Sequence, residues 1–251
     1  MLTPREKARR APLFLFSVLG LLALVPALNA SSLQCGQDTL AAYLQQGSCT
    51  IGDYTLKNFT FDSAGTGDIN LVSASQIIVD PTGSTLTNIS LEFSTAGGFT
   101  AAAGQTAQYV IHYNLDPFFP SIGGASIDLG PNDPVTLIGQ FCGDGVLTST
   151  PGAPETACTG TAPTGIFPAT LRLVGTGDPS STSLKFPILV TTLDTRLTLN
   201  LDGPASVNSF GVQTSVTNTP PVPEPSSSLI LIPGFAAVAW FRKRRHAACL
   251  N

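Results

Sequence analysis

Between Ser31 and Thr219 few residues have side chains suited to catalysis. His112 is the single histidine of that stretch, and Glu92 and Glu155 are its two glutamates. A Ser–His–Asp triad needs the histidine beside a poised serine. Serines and aspartates abound, but no G-x-S-x-G elbow is present. His112 alternates with Val110 in Gln108-Tyr109-Val110-Ile111-His112-Tyr113, which suits a hydrogen-bonded or exposed strand histidine. Glycoside hydrolysis needs two carboxylates about 5–9.5 Å apart. Glu92 sits at strand spacing opposite an apolar face, and Glu155 lies in a Pro/Gly/Thr loop, so both are expected at solvated positions. The stretch has no tryptophan, which weakens any reading built on aromatic sugar platforms. Tyr54, Tyr109, Tyr113 and Phe118-Phe119 are expected in the core. Gly65–Asn70 (GTGDIN) and Gly130–Asp133 (GPND) offer oxygen ligands for calcium, but neither follows the EF-hand order, and turn chemistry accounts for both. No phosphate loop or dinucleotide fingerprint occurs. The reading assigns no catalytic residue, no metal ligand and no cofactor.

The elements that must position these residues read as β-type. Strand-like runs cover 54–61, 68–73, 76–79, 85–94, 107–115, 125–129, 135–141, 170–174, 184–192, 196–201 and 207–216, with turn residues between them. Ile89, Leu91 and Phe93 share one face, as do Leu197, Leu199 and Leu201. One short helix is expected over Gln37–Gln46, capped by Asp38 or Thr39, with Leu40, Tyr43 and Leu44 on one face and Gly47 as its stop. The fold class that follows is mainly all-β, a two-sheet β-sandwich of jelly-roll-like or immunoglobulin-like type with one N-terminal helix. Ala64–Asp68 and Val174–Asp178 echo each other, as coincidence in a Gly/Thr-rich chain would allow.

Charge separates this middle from the two ends. Of the twelve basic residues, only Lys57, Arg172, Lys185 and Arg196 lie between Ser31 and Thr219, against fourteen acids, a net charge of −10. So acidic a surface repels phosphate backbones, and nucleic acid is excluded as a partner. At the N-terminus, Arg5, Lys7, Arg9 and Arg10 precede the apolar run Leu13–Val25, then Pro26 and Leu28-Asn29-Ala30. That order is a secretory signal, with cleavage expected after Ala30. Gln34 before Cys35 makes a poor lipoprotein site.

The other end has the matching sign. Pro220-Pro221-Val222-Pro223-Glu224-Pro225 is stiff and cannot join a sheet interior. Ser226–Phe241 carries no charge, and Leu229, Ile230, Leu231, Ile232, Pro233, Gly234, Phe235, Val238, Trp240 and Phe241 are its expected membrane-span residues. As a helix it reaches about 24 Å, at roughly 1.5 Å per residue, short of a hydrocarbon core of about 30 Å. Arg242, Lys243, Arg244 and Arg245 follow and should stay cytoplasmic. Both ends inside places the middle outside.

Four cysteines lie in that middle: Cys35, Cys49, Cys142 and Cys158. In an oxidising compartment they would pair. Three pairings are open; Cys35–Cys49 and Cys142–Cys158 are favoured because each closes a short local loop. A loop of about 15 residues contributes roughly 3 kcal/mol in the chain-entropy model. A zinc site would want a C-x-x-C pair and more nitrogen than His112 supplies. Cys249 falls beyond the basic cluster, where the cytosol is reducing.

Val222-Pro223-Glu224-Pro225, the short apolar span and the Arg-rich end together resemble the PEP-CTERM sorting domain, over about the last thirty residues. The resemblance implies recognition by an exosortase, with Pro223, Glu224 and Pro225 as recognition residues and a cut near them. It also implies an association with exopolysaccharide production in Gram-negative bacteria. His246–Asn251 runs past the arginines, a departure from the usual pattern. Cys35, Thr39-Leu40, Tyr43, Gly47, Cys49–Asp53 and Phe59 resemble a lead-in of PEP-CTERM ectodomains that carries no known chemistry.

The expected organisation is a signal peptide (1–30), an extracellular β-sandwich (31–219) and a Pro-rich linker with sorting and transmembrane tail (220–251). The expected function is that of an exported, exosortase-sorted surface or matrix protein, structural or adhesive and without catalytic activity. It would pass through the inner membrane, with exopolysaccharide as a candidate contact. Two alternatives stand beside it: a carbohydrate-binding module or glycoside-active enzyme on the same scaffold, and a permanently anchored single-span protein.

Overall fold

The computed structural model of the chain describes residues 33–216 except 82, 86, 118–121, 132, 133, 154, 156, 161–166 and 176–179. The expected signal peptide with its cleavage at Ala30, the expected sorting motif Val222–Pro225, the apolar run and the basic cluster lie outside the described residues. No helix among the described residues is long and apolar enough to cross a membrane.

Strands dominate because the apolar residues recur at every second position. In order they are β1 (Asp38–Thr39), β2 (Ser48–Ile51), β3 (Tyr54–Thr66), β4 (Ile78–Asp80), β5 (Asn88–Ala101), β6 (Thr106–Pro117), β7 (Ile122–Leu129), β8 (Val135–Gly143), β9 (Val146–Leu147), β10 (Cys158–Thr159), β11 (Phe167–Val174), β12 (Ser180–Val190), β13 (Leu193–Asp202) and β14 (Ala205–Val216). They form two antiparallel six-stranded sheets, β1-β4-β5-β14-β7-β12 and β11-β8-β13-β6-β3-β2, plus the small ribbon β9-β10. We call the first the β14 sheet and the second the β13 sheet. The two sheets face each other as a β-sandwich.

The core is what alternation demands. Ile89, Leu91 and Phe93 of β5 pack against Phe210 and Val212 of β14, and Leu197, Leu199 and Leu201 of β13 are buried beside Tyr109, Ile111 and Tyr113 of β6. Aromatic rings interlock across it, with Phe99 edge-on to Tyr109 at 5.1 Å and Phe59 stacked on Tyr113 at 5.3 Å. Gly139 of β8 has a structural reason to be glycine. A Cβ there would lie 2.7 Å from Ile127 Cγ2 of the opposite sheet, so the missing side chain lets the sheets close.

Among the described residues one helix, α1, spans Leu40–Gln46. Thr39 caps it by accepting from the Ala42 amide at 3.2 Å, and Gly47 ends it at φ 76° with its N–H on the Tyr43 carbonyl. It starts three residues later than the expected Gln37 because Asp38 and Thr39 pair with Val79 and Ile78 instead. Leu40 and Tyr43 are buried. Burial, aided by Asp38 and Asp80, pushes the Tyr43 hydroxyl up to about 12, and that hydroxyl donates to the Gly36 carbonyl at 2.7 Å.

Several boundaries differ from the sequence-based expectation: β3, β11 and β12 are longer than the expected runs, and β9 and β10 were not expected. Residues 68–73 form no strand: Ile69 and Leu71 fold back onto Gly65, and the Val72 amide donates to the Tyr109 hydroxyl at 3.2 Å. Strand β5 runs on from Ser94 to Ala101, through a bulge where Gly98 adopts φ 69°. Ser48–Ile51 forms β2, which was not expected as a strand.

Both expected cysteine pairs are formed, Cys35–Cys49 and Cys142–Cys158, with Cα separations of 5.0 and 5.6 Å. The first joins the segment before α1 to β2. Replacing Cys35 and Cys49 by serine should cost roughly 3 kcal/mol. That lowers the melting temperature by about 6–12 °C, at about 2–4 °C per kcal/mol, as calorimetry on the oxidised protein would record.

Candidate functional site

Three features stand on the outer faces of the sandwich. On the β13 sheet, the side chains of Asp194, Arg196, Thr198 and Asn200 point away from the core, beside Asn114, His112, Val110 and Gln108 of β6. A polar row of this kind is normally wet. Here Gln140, Asp194 and Thr198 are buried. The loop between Asp144 and Thr159, closed by Cys142–Cys158, is folded over them as a strap.

The strap is tied by hydrogen bonds. The Leu147 amide donates to Asp194 Oδ2 at 2.7 Å, and His112 Nε2 is paired with Asp194 Oδ1. Arg196 Nη1 donates to the Ser149 carbonyl. Gln140 Nε2 donates to Ser149 Oγ at 3.0 Å and to the Ala153 carbonyl at 3.4 Å. At the root of the strap, Asp144 Oδ1 accepts from the Thr191 amide and hydroxyl, both at 2.6 Å, and from the Thr192 amide at 3.0 Å. His112 therefore sits on the outer face as a hydrogen-bonded strand histidine. Its carboxylate partner holds a covering loop, and among the described residues its side-chain hydrogen bond goes to Asp194, not to a serine.

Past the tip of the strap the same face opens into a groove of about 550 Å³. A Cβ on Gly152 would lie 3.6 Å from Thr198 and 3.7 Å from Gln108, so the strap comes down beside Gln108, which also lines the groove. The polar lining is amide and hydroxyl together with the Asp202 carboxyl. Gln108 Nε2 donates to Asn200 Oδ1 at 2.8 Å, and the Thr66 and Thr106 hydroxyls are 2.8 Å apart. Thr136, Asp202 and Val174 complete the lining. Such a lining exchanges hydrogen bonds with water or with polyol hydroxyls. Among the described residues it holds no aromatic ring, and Tyr54, Tyr109 and Tyr113 are in the core as expected. Phe118 and Phe119 lie outside the described residues.

The second groove, about 480 Å³, crosses the outer face of the β14 sheet. The register lines up Asp80, Glu92, Gly211, Asp128 and Ser181 across β4, β5, β14, β7 and β12. Gly211 has no side chain, so the Asp128 carboxyl lies flat over its backbone. A Cβ there would meet Asp128 Oδ2 at 2.8 Å and Oδ1 at 2.9 Å. Burial, and secondarily the charge of Glu92, raises the Asp128 carboxyl above the ordinary carboxylate value. Glu92 is exposed, as expected, between Asp80 on β4 and Asp128 on β7. Glu155 is also exposed but belongs to the strap on the other sheet, so the two glutamates are not brought together.

The calcium-like turns carry little. Gly67 offers its carbonyl to Gln105 Nε2 at 2.9 Å, which is turn packing; Asn132 and Asp133 lie outside the described residues. Among the described residues no three His, Cys, Asp or Glu side chains gather as a metal site.

No family model matches the chain, and no curated protein matches it. Among solved structures, it is similar to TmCBM61 in complex with β-1,4-galactotriose, at 6% identity and TM-score 0.29 over 62% of this chain and 85% of that one. It is also similar to the family 11 carbohydrate-binding module of the cellulosomal cellulase Lic26A-Cel5E of Clostridium thermocellum, at 8% identity and TM-score 0.28 over 62% of this chain and 88% of that one. At those scores the likeness assigns no ligand.

Two outcomes follow from this geometry. Asp194→Ala leaves the Leu147 amide and His112 without their acceptor, and should cost about 1–3 kcal/mol. Faster hydrogen exchange at Leu147 would accompany the loss. Asp128→Asn should raise the melting temperature at pH 7. A carboxyl whose folded value is raised binds its proton more readily folded than unfolded, so the charged form opposes folding as pH rises. The gain should disappear when melting is repeated well below the ordinary carboxylate value of 3.8.

Proposed function

We propose that this chain is an exported surface or extracellular-matrix protein without catalytic activity. Its sandwich, 31–219, is the working part. A signal peptide ending at Ala30 carries it out, and the PEP-CTERM-like tail, 220–251, docks it in the inner membrane for an exosortase. The observation that carries this reading is the closure of all four cysteines between Ser31 and Thr219 into two cystines. A domain stapled in this way fits an oxidising compartment. The cationic and apolar ends of the sequence point the same way. Commitment of Asp194 to strap and histidine, and the separation of Glu92 from Glu155, favour a structural over a hydrolytic role.

A second reading concerns contact with polysaccharide. The groove lined by Thr66, Thr106, Gln108, Asn200 and Asp202 suits hydrogen bonding to sugar hydroxyls. Without an aromatic platform such contacts would be individually weak and useful in numbers.

The mass of the mature protein tests the sorting reading. With an exosortase present, the new C-terminus should fall near Pro223–Ser226; without it, the chain should end at Asn251. Glu224→Ala and Pro223→Ala should leave the tail intact even with the enzyme. An uncut Asn251 terminus in wild-type protein recovered from an exosortase-bearing envelope would point instead to a permanent single-span anchor.

A further inference from the structure

The pairing of β12 with β7 breaks in an unusual place. Ser180–Lys185 pair in step with Leu129–Gly124, and pairing resumes at Val190 with Ile122. Four residues, Phe186-Pro187-Ile188-Leu189, therefore stand opposite Gly123 alone. Phe186 turns into the core. Proline, with no amide to donate, is tolerated on such an edge. The next two side chains turn outward, Ile188 at 38% and Leu189 at 37% exposure.

This bulge shares an end of the sandwich with the exit of the chain. Ile122 is the partner of Val190 on one side and of Val216, the last residue of β14, on the other. Bulge and exit are thus separated by one strand, roughly 10 Å at two strand spacings. A third apolar side chain joins them. Val146 is 58% exposed at the root of the strap, where the Asp144 amide donates to the Thr192 carbonyl of the β12–β13 turn. Beyond Val216 the sequence has nine residues, four of them proline, before the uncharged run that starts at Ser226. Extended, nine residues reach about 28 Å at 3.1 Å each.

The charges at this end are arranged to match an apolar surface. Asp144 is saturated by Thr191 and Thr192, Asp194 is held under the strap by Leu147 and His112, and Asp116 is paired with Lys57. Lys185, exposed, immediately precedes the bulge. In a domain of net charge −10, Asp144, Asp194 and Asp116 at this end are each held by a hydrogen bond or an ion pair, and exposed Asp53 lies across the sheet in the β2–β3 turn.

We infer that Ile188, Leu189 and Val146 form a docking tip that rests on the lipid bilayer, so that the sandwich stands on the membrane by the end from which its tail leaves. The inference rests on the proposed membrane tail. Short apolar side chains beside a lysine suit the boundary between headgroups and acyl chains. Anchoring the tail within about 28 Å holds the tip where it can insert.

The test uses the full chain in phosphatidylcholine vesicles, with Trp240→Phe to remove the native tryptophan and Leu189→Trp as reporter; Ile188→Trp serves if Leu189→Trp misfolds. Vesicles made with acyl-brominated phosphatidylcholine should cause a loss of emission from L189W/W240F and none from V174W/W240F, whose reporter is at the opposite end of the β13 sheet. Protease protection of the tail is read on the same vesicles. If the tail is unprotected, the membrane-tail reading fails, and the tip proposal with it. If the tail is protected but Leu189→Trp is not quenched, or Val174→Trp is quenched equally, the tip proposal fails while the tail reading survives. Abolition of tail processing by Ile188→Asp without lipid quenching would assign the tip to the exosortase and overturn the lipid assignment.

Discussion

Asp194 is 1% exposed on the outer face of a central strand, and a carboxylate in that position needs donors on both oxygens. One is the Leu147 amide, the other is His112. Much of the outer architecture of the β13 sheet depends on this requirement. The strap that brings Leu147 must lie flat across the sheet. It does so because Cys142–Cys158 closes its ends and because Arg196 and Gln140 reach up to Ser149. Where the strap stops, at Gly152, the sheet face becomes a groove. The same cystine, strap and carboxylate thus decide which part of the face is sealed and which is open to a partner.

The two outer faces then differ in kind. The β13 sheet combines a sealed polar row with an open polar groove. The β14 sheet carries Asp80, Glu92 and Asp128 in one cross-strand row, with Gly211 as the gap over which Asp128 lies. In a domain of net charge −10 this row contributes to the acidity that keeps the surface hydrated. Burial and Glu92 make the charged Asp128 a cost to folding, one that Gly211 moderates by leaving room for the carboxyl.

Much of the fold was legible because burial imposes a period of two. Leu91 and Phe93, or Leu197 and Leu199, declare an inward face without any knowledge of their partners. Thr39, one of the two expected caps, and Gly47 marked the helix because caps are local chemistry. What failed to show was non-local. Ile69 and Leu71 alternate like a strand, yet they pack on Gly65 without a neighbour to pair with. Ala96-Gly97-Gly98 has the composition of a turn, yet the strand bulges through it because β14 continues alongside. The site followed the same rule. Glu92 was recognisably outward, but its proximity to Asp128 depends on the register of three strands, and Asp194 is spaced like any outward residue until a loop from elsewhere covers it.

The central claim is that the sandwich matures oxidised, outside the inner membrane and without its leader. Peptide mapping of protein recovered from the cell envelope, alkylated before any reduction, tests it directly. The account requires a chain beginning at Ser31 whose first four cysteines are unalkylated and linked 35–49 and 142–158. Recovery from the cytosol of a chain that still begins at Met1, with those four thiols alkylated, would contradict it.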